Sequence, residues 1–227
     1  MFKYFLILAA GKGERMLYLT TDRPKALVDV NGRPLISYTL EQIRIFSEDI
    51  FITIGYKGNE VVSFLSSLGK LQFINTNRQG NTWWLHNSVL KDVDEPILVF
   101  PCDIITYIDF NFIYRNYQKN GFPACLIISI APVDGIEGDY IFGENGKVTF
   151  FSRNRKSNIY CSGIHVVNPY KINRLLGKES KSFYDMCNLL IEKEQLYYSD
   201  IYPYDWHSIN TPEQLERAKI MYSNNQQ

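Results

Sequence analysis

Near its start the chain runs from an almost unbroken apolar stretch, Phe2 to Leu8, straight into Ala9-Ala10-Gly11-Lys12-Gly13-Glu14-Arg15-Met16. Such a run reads as a strand buried on both faces, the kind found in parallel sheets. The loop leaves the strand's carboxyl end. There Gly11 and Gly13 permit positive φ and close approach of a ligand, so that successive N–H groups turn inward as an anion nest. Lys12, Arg15 and Lys25, the last within Pro24-Lys25-Ala26-Leu27, add positive charge, and a guanidinium grips phosphate through a fork of donors. A tight turn with solvated cations accounts for the glycines alone. The nearby arginine and the Pro-Lys further on favour a polyphosphate site instead.

Two other phosphate motifs fail on spacing. A Walker A loop ends in Gly-Lys-Ser/Thr, which Gly13-Glu14-Arg15 does not supply. A dinucleotide fingerprint needs a third glycine and an acidic residue closing the second strand, whereas Phe51 to Tyr56 closes in Gly55-Tyr56.

At 227 residues the chain suits one α/β domain with a lobe inserted or appended. Its apolar runs are too short for a bilayer, and Phe2 to Leu8 meets a charged loop without a small-residue cleavage site, so a cytoplasmic protein is expected. The four cysteines, Cys102, Cys125, Cys161 and Cys187, lack Cys-x-x-Cys or zinc-ligand spacing and read as buried thiols. Acidic and basic residues number 24 each with no basic block, which argues against a nucleic-acid surface.

Apolar runs alternate with helical patterns: strand 2–8, helix 35–46, strand 50–55, helix 58–65, strand 71–75, helix 82–90, strand 97–101. This rhythm predicts an α/β fold with a mostly parallel sheet flanked by helices, whose ligands gather outside the carboxyl ends of the strands. A helix over 109–119 and a strand over 124–131 continue it. Short strands at 140–142, 147–152 and 160–167 follow, with Asn145-Gly146 as a type I′ turn signal, and predict a small antiparallel lobe. Helices at 169–176 and 182–193, a strand at 196–202 and a helix from Thr211, with Thr as N-cap and Pro212 at N1, complete the pattern.

The strand Ile97 to Pro101 ends in Cys102-Asp103, which sets a carboxylate on the same edge as the glycine loop. Asp103 is placed to carry Mg²⁺, an ion that prefers one or two carboxylates together with phosphate oxygens and water; an Asp capping the next turn is the alternative. Trp83-Trp84 either walls a base pocket or divides into one tryptophan packed on the sheet and one covering it.

With these residues in view, the chain resembles the nucleotidyltransferases that activate sugar 1-phosphates and related phospho-alcohols, including phosphocholine cytidylyltransferases. The resemblance runs nearly end to end. It is strongest in Leu8 to Met16, in Pro24 to Leu27 with Val30 to Ile36, and at Asp103. Ser162-Gly163-Ile164 is similar to the sugar-side glycine motif of that family, and Trp206 to Leu215 to its closing segment. The resemblance implies a three-layer, Rossmann-like nucleotide-diphospho-sugar transferase fold in a single domain, 1–227, with a nucleotide-binding part to about 122 and an acceptor-binding part from about 123.

It also implies the reaction. An acceptor phosphate oxygen attacks the α-phosphorus of a nucleoside triphosphate in line, and pyrophosphate leaves. By this analogy Leu8, Ala9, Ala10 and Gly11 meet base and ribose, Lys12, Gly13 and Arg15 hold the β- and γ-phosphates, and Lys25 neutralises the α-phosphate. Gln79, Gly80, Asn81 and Thr82, after Arg78, are implied base contacts, and the amides of Gln79 and Asn81 suit a base edge. Asp139, Arg153 and Lys156, with Arg155, together with Ser162 and Gly163, are implied acceptor contacts. Ser152-Arg153-Asn154-Arg155-Lys156 departs from the Glu-Lys-Pro of many relatives.

Mg²⁺ is the implied cofactor, with Asp103 as ligand. Aligning Trp206 and Thr211 puts Ser208 where an aspartate usually stands, which leaves Asp205, or Asn210 or His207 through water, to assist. His86, His165 and His207 otherwise read as exposed or half-buried. The expected partners are an NTP and a small phosphorylated acceptor, without nucleic acid or membrane, and the resemblance leaves room for a homodimer. The leading expectation is condensation of an NTP with a sugar 1-phosphate. CTP-dependent transfer to phosphocholine or another small phospho-acceptor follows closely, on the strength of Asn81 to Ser88. A nucleotide-binding relative without turnover is the third reading, motivated by Ser208.

Overall fold

The computed structural model describes residues 2–76, 79–136 and 138–223; Arg78, expected before the base-contact segment, lies outside them. In chain order the elements are β1 (Tyr4–Leu8), two 3₁₀ turns (Glu14–Thr20 and Lys25–Leu27), β2 (Asp29–Val30), β3 (Arg33–Pro34), α1 (Leu35–Arg44) and β4 (Ile50–Ile54). Next come α2 (Gly58–Ser66), β5 (Gln72–Asn75), α3 (Trp83–Asn87), β6 (Ile97–Pro101), β7 (Ile104–Thr106), α4 (Phe110–Lys119) and β8 (Cys125–Ile130). The chain closes with β9 (Tyr140–Glu144), β10 (Lys147–Ser152), β11 (Tyr160–Val167), α5 (Pro169–Leu176), α6 (Phe183–Glu192), β12 (Leu196–Tyr198), β13 (Trp206–Ser208) and α7 (Pro212–Ser223). No helix among the described residues is long and apolar enough to cross a membrane.

The chain forms two compact units, each drawn from three stretches. The first comprises Phe5–Arg78, Phe100–Ile108 and Asp205–Gln227. Its parallel strands follow the order β5-β4-β1, with Phe5 opposite Ile50 and Phe51 opposite Gln72. The aromatic and β-branched run Ile50–Ile54 is buried at its first four positions, as a strand covered on both faces requires. α1 buries Leu35, Ile36, Leu40 and Ile43, the spacing of one helical face.

A core of Met16, Val28, Val30, Leu35, Ile105, Ile209, Leu215 and Ala218 ties the turn after β1, α1, β7 and α7 together. A two-stranded ribbon completes this unit: β13 pairs antiparallel with β7, setting Ser208 opposite Ile104 and Trp206 opposite Thr106. Neither that ribbon nor the β2–β3 hairpin was apparent in the sequence, because strands of two or three residues carry too little periodicity to read.

The second unit comprises Met1–Tyr4, Gln79–Val99 and Asp109–Tyr204. Here β11 runs antiparallel to β8 and to residues 97–99 of β6, β8 runs parallel to β12, and β10 is antiparallel to both β12 and β9. The expected I′ turn is present, with φ of 51° at Asn145 and 79° at Gly146. The Asp109 carboxylate accepts from the Phe112 N–H at 2.9 Å and caps α4; Asn168 and Ser182 cap α5 and α6 in the same way. α3 is shorter than the pattern predicts. The Ser88 hydroxyl donates to the Trp84 carbonyl and accepts from the Leu90 N–H, which turns the chain out of the helix.

Cys102, Cys125 and Cys187 are buried and all four thiols are free; burial pushes the Cys102 and Cys161 thiols up to about 12, so both stay protonated at neutral pH. His165 is not half-buried as expected but only 5% exposed. Its Nδ1–H donates to the Gly163 carbonyl at 2.8 Å and its ring stacks on Phe183. Burial lowers its imidazole to about 4, although that hydrogen bond pulls the other way.

An unfolded chain takes up this proton near pH 6.5, whereas the folded one holds it off to about 4. The His165 contribution to stability is therefore complete above about pH 6.5 and is lost as pH falls towards 4, a change of roughly 3 kcal/mol. Urea unfolding of His165→Phe should lose that part of the decline between pH 7 and pH 4, whereas an unchanged pH slope would contradict the assignment.

Candidate active site

The site is built in the first unit, where β1 hands the chain to the glycine loop. The strand's last backbone groups are committed to the sheet: the Leu8 carbonyl accepts from Cys102 N–H at 3.1 Å, Ala9 N–H donates to Thr53, and the Ala10 carbonyl accepts from Tyr56 N–H at 3.0 Å. These groups of Leu8, Ala9 and Ala10 thus hold strands together. Beyond them the situation reverses. The N–H groups of Gly11, Lys12 and Gly13 have no hydrogen-bond partner among the described residues.

Gly13 adopts the left-handed conformation, φ 70° and ψ 45°, and its carbonyl accepts from Met16 N–H and from the Thr20 hydroxyl. A Cβ there would meet the Lys25 side-chain carbons at 2.9 to 3.1 Å. Gly11 differs: its φ is not positive and open space surrounds it, so of the two glycines only Gly13 uses the positive φ that both permit.

Against Gly13 lies the Lys25 stem, and the residue is only 7% exposed. A buried ammonium needs partners, and it has two. Lys25 Nζ forms an ion pair with Asp103 Oδ2 and donates to Asn210 Oδ1 at 2.8 Å. Arg15 Nη2 donates to the same Asn210 oxygen at 2.8 Å. The Asn210 amide nitrogen turns to the Ser208 hydroxyl, and its N–H to Gln214 Oε1. The β7–β13 ribbon brings these groups together, since Ile209 N–H donates to the Asp103 carbonyl at 2.8 Å.

Asn210 is the residue that sequence reasoning undervalued, having given it a water-mediated part at most. The available signal was its place immediately before the Thr211 N-cap, where a side chain leaves the ribbon beside Asp103. Asp205 takes the opposite place. It precedes Trp206, which pairs with Thr106 at the far end of the ribbon, and the Thr106 hydroxyl donates to its carbonyl. At about 3.3 Å per residue it lies roughly 10 Å along the strand from Ser208, so it does not join Asp103 as a metal carboxylate.

The oxygens of Asp103, Asn210 and Ser208 are hard donors, and no group of three His, Cys, Asp or Glu side chains among the described residues forms a cage. One carboxylate with neutral oxygens fits Mg²⁺, which takes its remaining ligands from phosphate and water.

In the second unit several residues expected as contacts are tied into the protein's own structure. Thr82 is fully buried and its hydroxyl donates to the Ser180 carbonyl at 2.7 Å. Asn81 Oδ1 accepts from Phe183 N–H, and a Cβ on Gly80 would sit 1.8 Å from the Lys181 carbonyl oxygen. His86 locks the same turn: its Nε2 accepts from Ser180 N–H and pairs with the Ser180 hydroxyl, while Nδ1 faces Asn173 Oδ1 at 2.6 Å. Only Gln79 of that segment is exposed without such a tie. Trp84 is fully buried, so it packs rather than walls a pocket.

Asp139 pairs with Arg153 at 3.0 Å. The buried Ser162 hydroxyl donates to the Ile128 carbonyl, and Gly163, φ 85°, sits where β11 shifts register. Ser162 and the Arg153 Nε thus have partners within the protein, and Lys156 is exposed.

A parallel α/β unit with donor-lined loop and carboxylate on one edge is an arrangement for binding phosphate compounds. A family model described as the MobA-like NTP transferase domain matches residues 5–126, and the chain belongs to that family. The Bifunctional protein GlmU of Methanocaldococcus jannaschii is 24% identical over 216 residues, covering 91% of this chain and 51% of that protein. The mannose-1-phosphate guanylyltransferase catalytic subunit beta of Drosophila pseudoobscura pseudoobscura is 23% identical over 229 residues, covering 96% of this chain and 62% of the subunit. The chain thus spans about half the length of the first of these relatives. Among solved structures, the CTP:phosphocholine cytidylyltransferase of Streptococcus pneumoniae superposes with a TM-score of 0.76 at 21% identity, covering 98% of this chain and 100% of that one. The chain has the nucleotide-diphospho-sugar transferase fold.

Three substitutions check this geometry. Gly13→Ala should cost about 1–2 kcal/mol in urea unfolding, through its φ and its crowding of Lys25, whereas Gly11→Ala should stay within about 0.5 kcal/mol. Thr82→Val should cost about 1–3 kcal/mol by stranding a buried carbonyl.

Proposed function

We propose that this protein is a nucleotidyltransferase that condenses a nucleoside triphosphate with a sugar 1-phosphate, giving a nucleoside diphosphate sugar and pyrophosphate. The observation that carries this reading is the convergence of Arg15 and Lys25 on Asp103 and Asn210 beside a loop whose N–H groups are unoccupied. The family and the named activities of the relatives agree with it.

The unpaired N–H groups of Gly11, Lys12 and Gly13, with the Arg15 guanidinium, hold the β- and γ-phosphates. Lys25, anchored under Gly13, turns its ammonium to the α-phosphate. An acceptor phosphate oxygen forms the new bond to the α-phosphorus as the bond to the bridging oxygen breaks, and that oxygen leaves with pyrophosphate. Charge grows on the leaving group and on the equatorial oxygens, where Arg15 and Lys25 oppose it. Asp103 and Asn210, with Ser208 behind them, would hold Mg²⁺, which supplies neutralisation of phosphate charge.

A pyrophosphate-release assay with the four triphosphates against a panel of sugar 1-phosphates and phosphocholine tests the reading. Turnover on a sugar 1-phosphate is expected, and turnover confined to CTP and phosphocholine would reassign the acceptor. Triphosphate binding with no turnover on any acceptor would contradict it. Lys25→Met and Arg15→Ala should each lower kcat/KM by about a hundredfold or more.

A further inference from the structure

Asp103 is the one carboxylate in the cluster of Arg15, Lys25, Ser208 and Asn210, and it is already neutralised. The ammonium paired with it has little freedom to leave. The Lys25 stem is packed under Gly13, and its Nζ also donates to Asn210 Oδ1 at 2.8 Å. That second oxygen carries a further cation, Arg15, at 2.8 Å. The Asn210 amide nitrogen is tied to Ser208 Oγ, so the carboxamide cannot flip to offer a different face without losing that bond. Asp103 Oδ2 and Asn210 Oδ1 are therefore held by the protein's own positive groups, and the ammonium on Oδ2 neutralises the carboxylate as a whole. A divalent ion entering alone would have to displace an ammonium and then sit among like charges at close range in a partly dry site. A polyphosphate reverses the balance, because its oxygens give Lys25 and Arg15 another anionic partner and release Asp103 and Asn210.

We infer that Lys25, backed by Arg15, keeps the metal position closed in the free protein, so that a divalent cation binds there only together with a polyphosphate. Lys25 then has two successive roles. It is the counter-ion of Asp103 before the substrate arrives and the partner of the α-phosphate afterwards. This rests on the nucleotidyl-transfer reading of the site and deepens it by setting the order in which cofactor and substrate enter.

The test uses Mn²⁺ as the metal and inorganic tripolyphosphate as the polyphosphate, and reads water-proton relaxation, which needs no turnover. Wild-type protein should give little relaxation enhancement with Mn²⁺ alone. With tripolyphosphate present the enhancement should exceed that of the Mn²⁺–tripolyphosphate complex without protein. Lys25→Met, which keeps the buried stem, should bind Mn²⁺ alone at least about tenfold more tightly than wild type, and adding Asp103→Asn should remove the gain. Should Lys25→Met fail to fold, the wild-type comparison decides by itself. Equal enhancement of wild-type protein by Mn²⁺ with and without tripolyphosphate would overturn the inference, as would a folded Lys25→Met with no gain. Because the pyrophosphate-release assay measures turnover and this one measures binding, failure of the inference is distinguished from failure of the transfer reading.

Discussion

A single buried ammonium organises this molecule's site. Lys25 is almost fully covered, and a charge in that position is tolerated only where opposite charge and hydrogen-bond acceptors meet it. Asp103 and Asn210 meet it, and each comes from a different stretch of chain: one follows β6, the other follows β13. The β7–β13 ribbon and the core around Met16, Ile105, Ile209 and Leu215 are what hold those stretches in register. The apolar packing and the polar cluster therefore depend on one another. Losing the ribbon would leave the lysine without partners, and losing the lysine would leave a carboxylate and an amide facing each other with no cation between them.

How much of this was legible in the sequence follows from the range of the interactions involved. β1, β6, β10, β11 and α5 could be read closely because each carries a local pattern: an apolar run, a two-residue alternation or an N-cap followed by proline. The Asn145-Gly146 turn was legible for the same reason. Lys25, Arg15 and Asp103 were picked out because cations, glycines and a strand-end carboxylate have a chemistry that spacing alone suggests. Asn210 was not, since its importance lies in contacts to residues 185 and 195 positions away. Asp205 misled for the converse reason: its charge suits a metal, but a three-residue ribbon aims it elsewhere. Thr82 and Ser162 resemble binding residues in sequence and turn out to satisfy buried carbonyls, a distinction that only tertiary contacts make.

The neutral side chains of Ser208 and Asn210 have a physical reading within this cluster. With one carboxylate against two cations, the free site carries excess positive charge, which suits a highly anionic ligand better than a bare metal ion. A second carboxylate would shift that balance towards the metal. On the proposed reading, affinity for triphosphate and dependence on a metal would be two outcomes of the same local charge count.

The central claim is that the cluster is where a nucleotide's phosphates and the divalent ion meet. A crystal structure with Mn²⁺ and a triphosphate bearing a non-hydrolysable α–β bridge tests it most directly. The account predicts an anomalous Mn peak within coordination distance of Asp103, phosphate oxygens on the Gly11 to Gly13 N–H groups, and Lys25 turned from Asp103 to the α-phosphate. A triphosphate bound elsewhere, or a Lys25–Asp103 pair left intact with the metal remote from it, would contradict it.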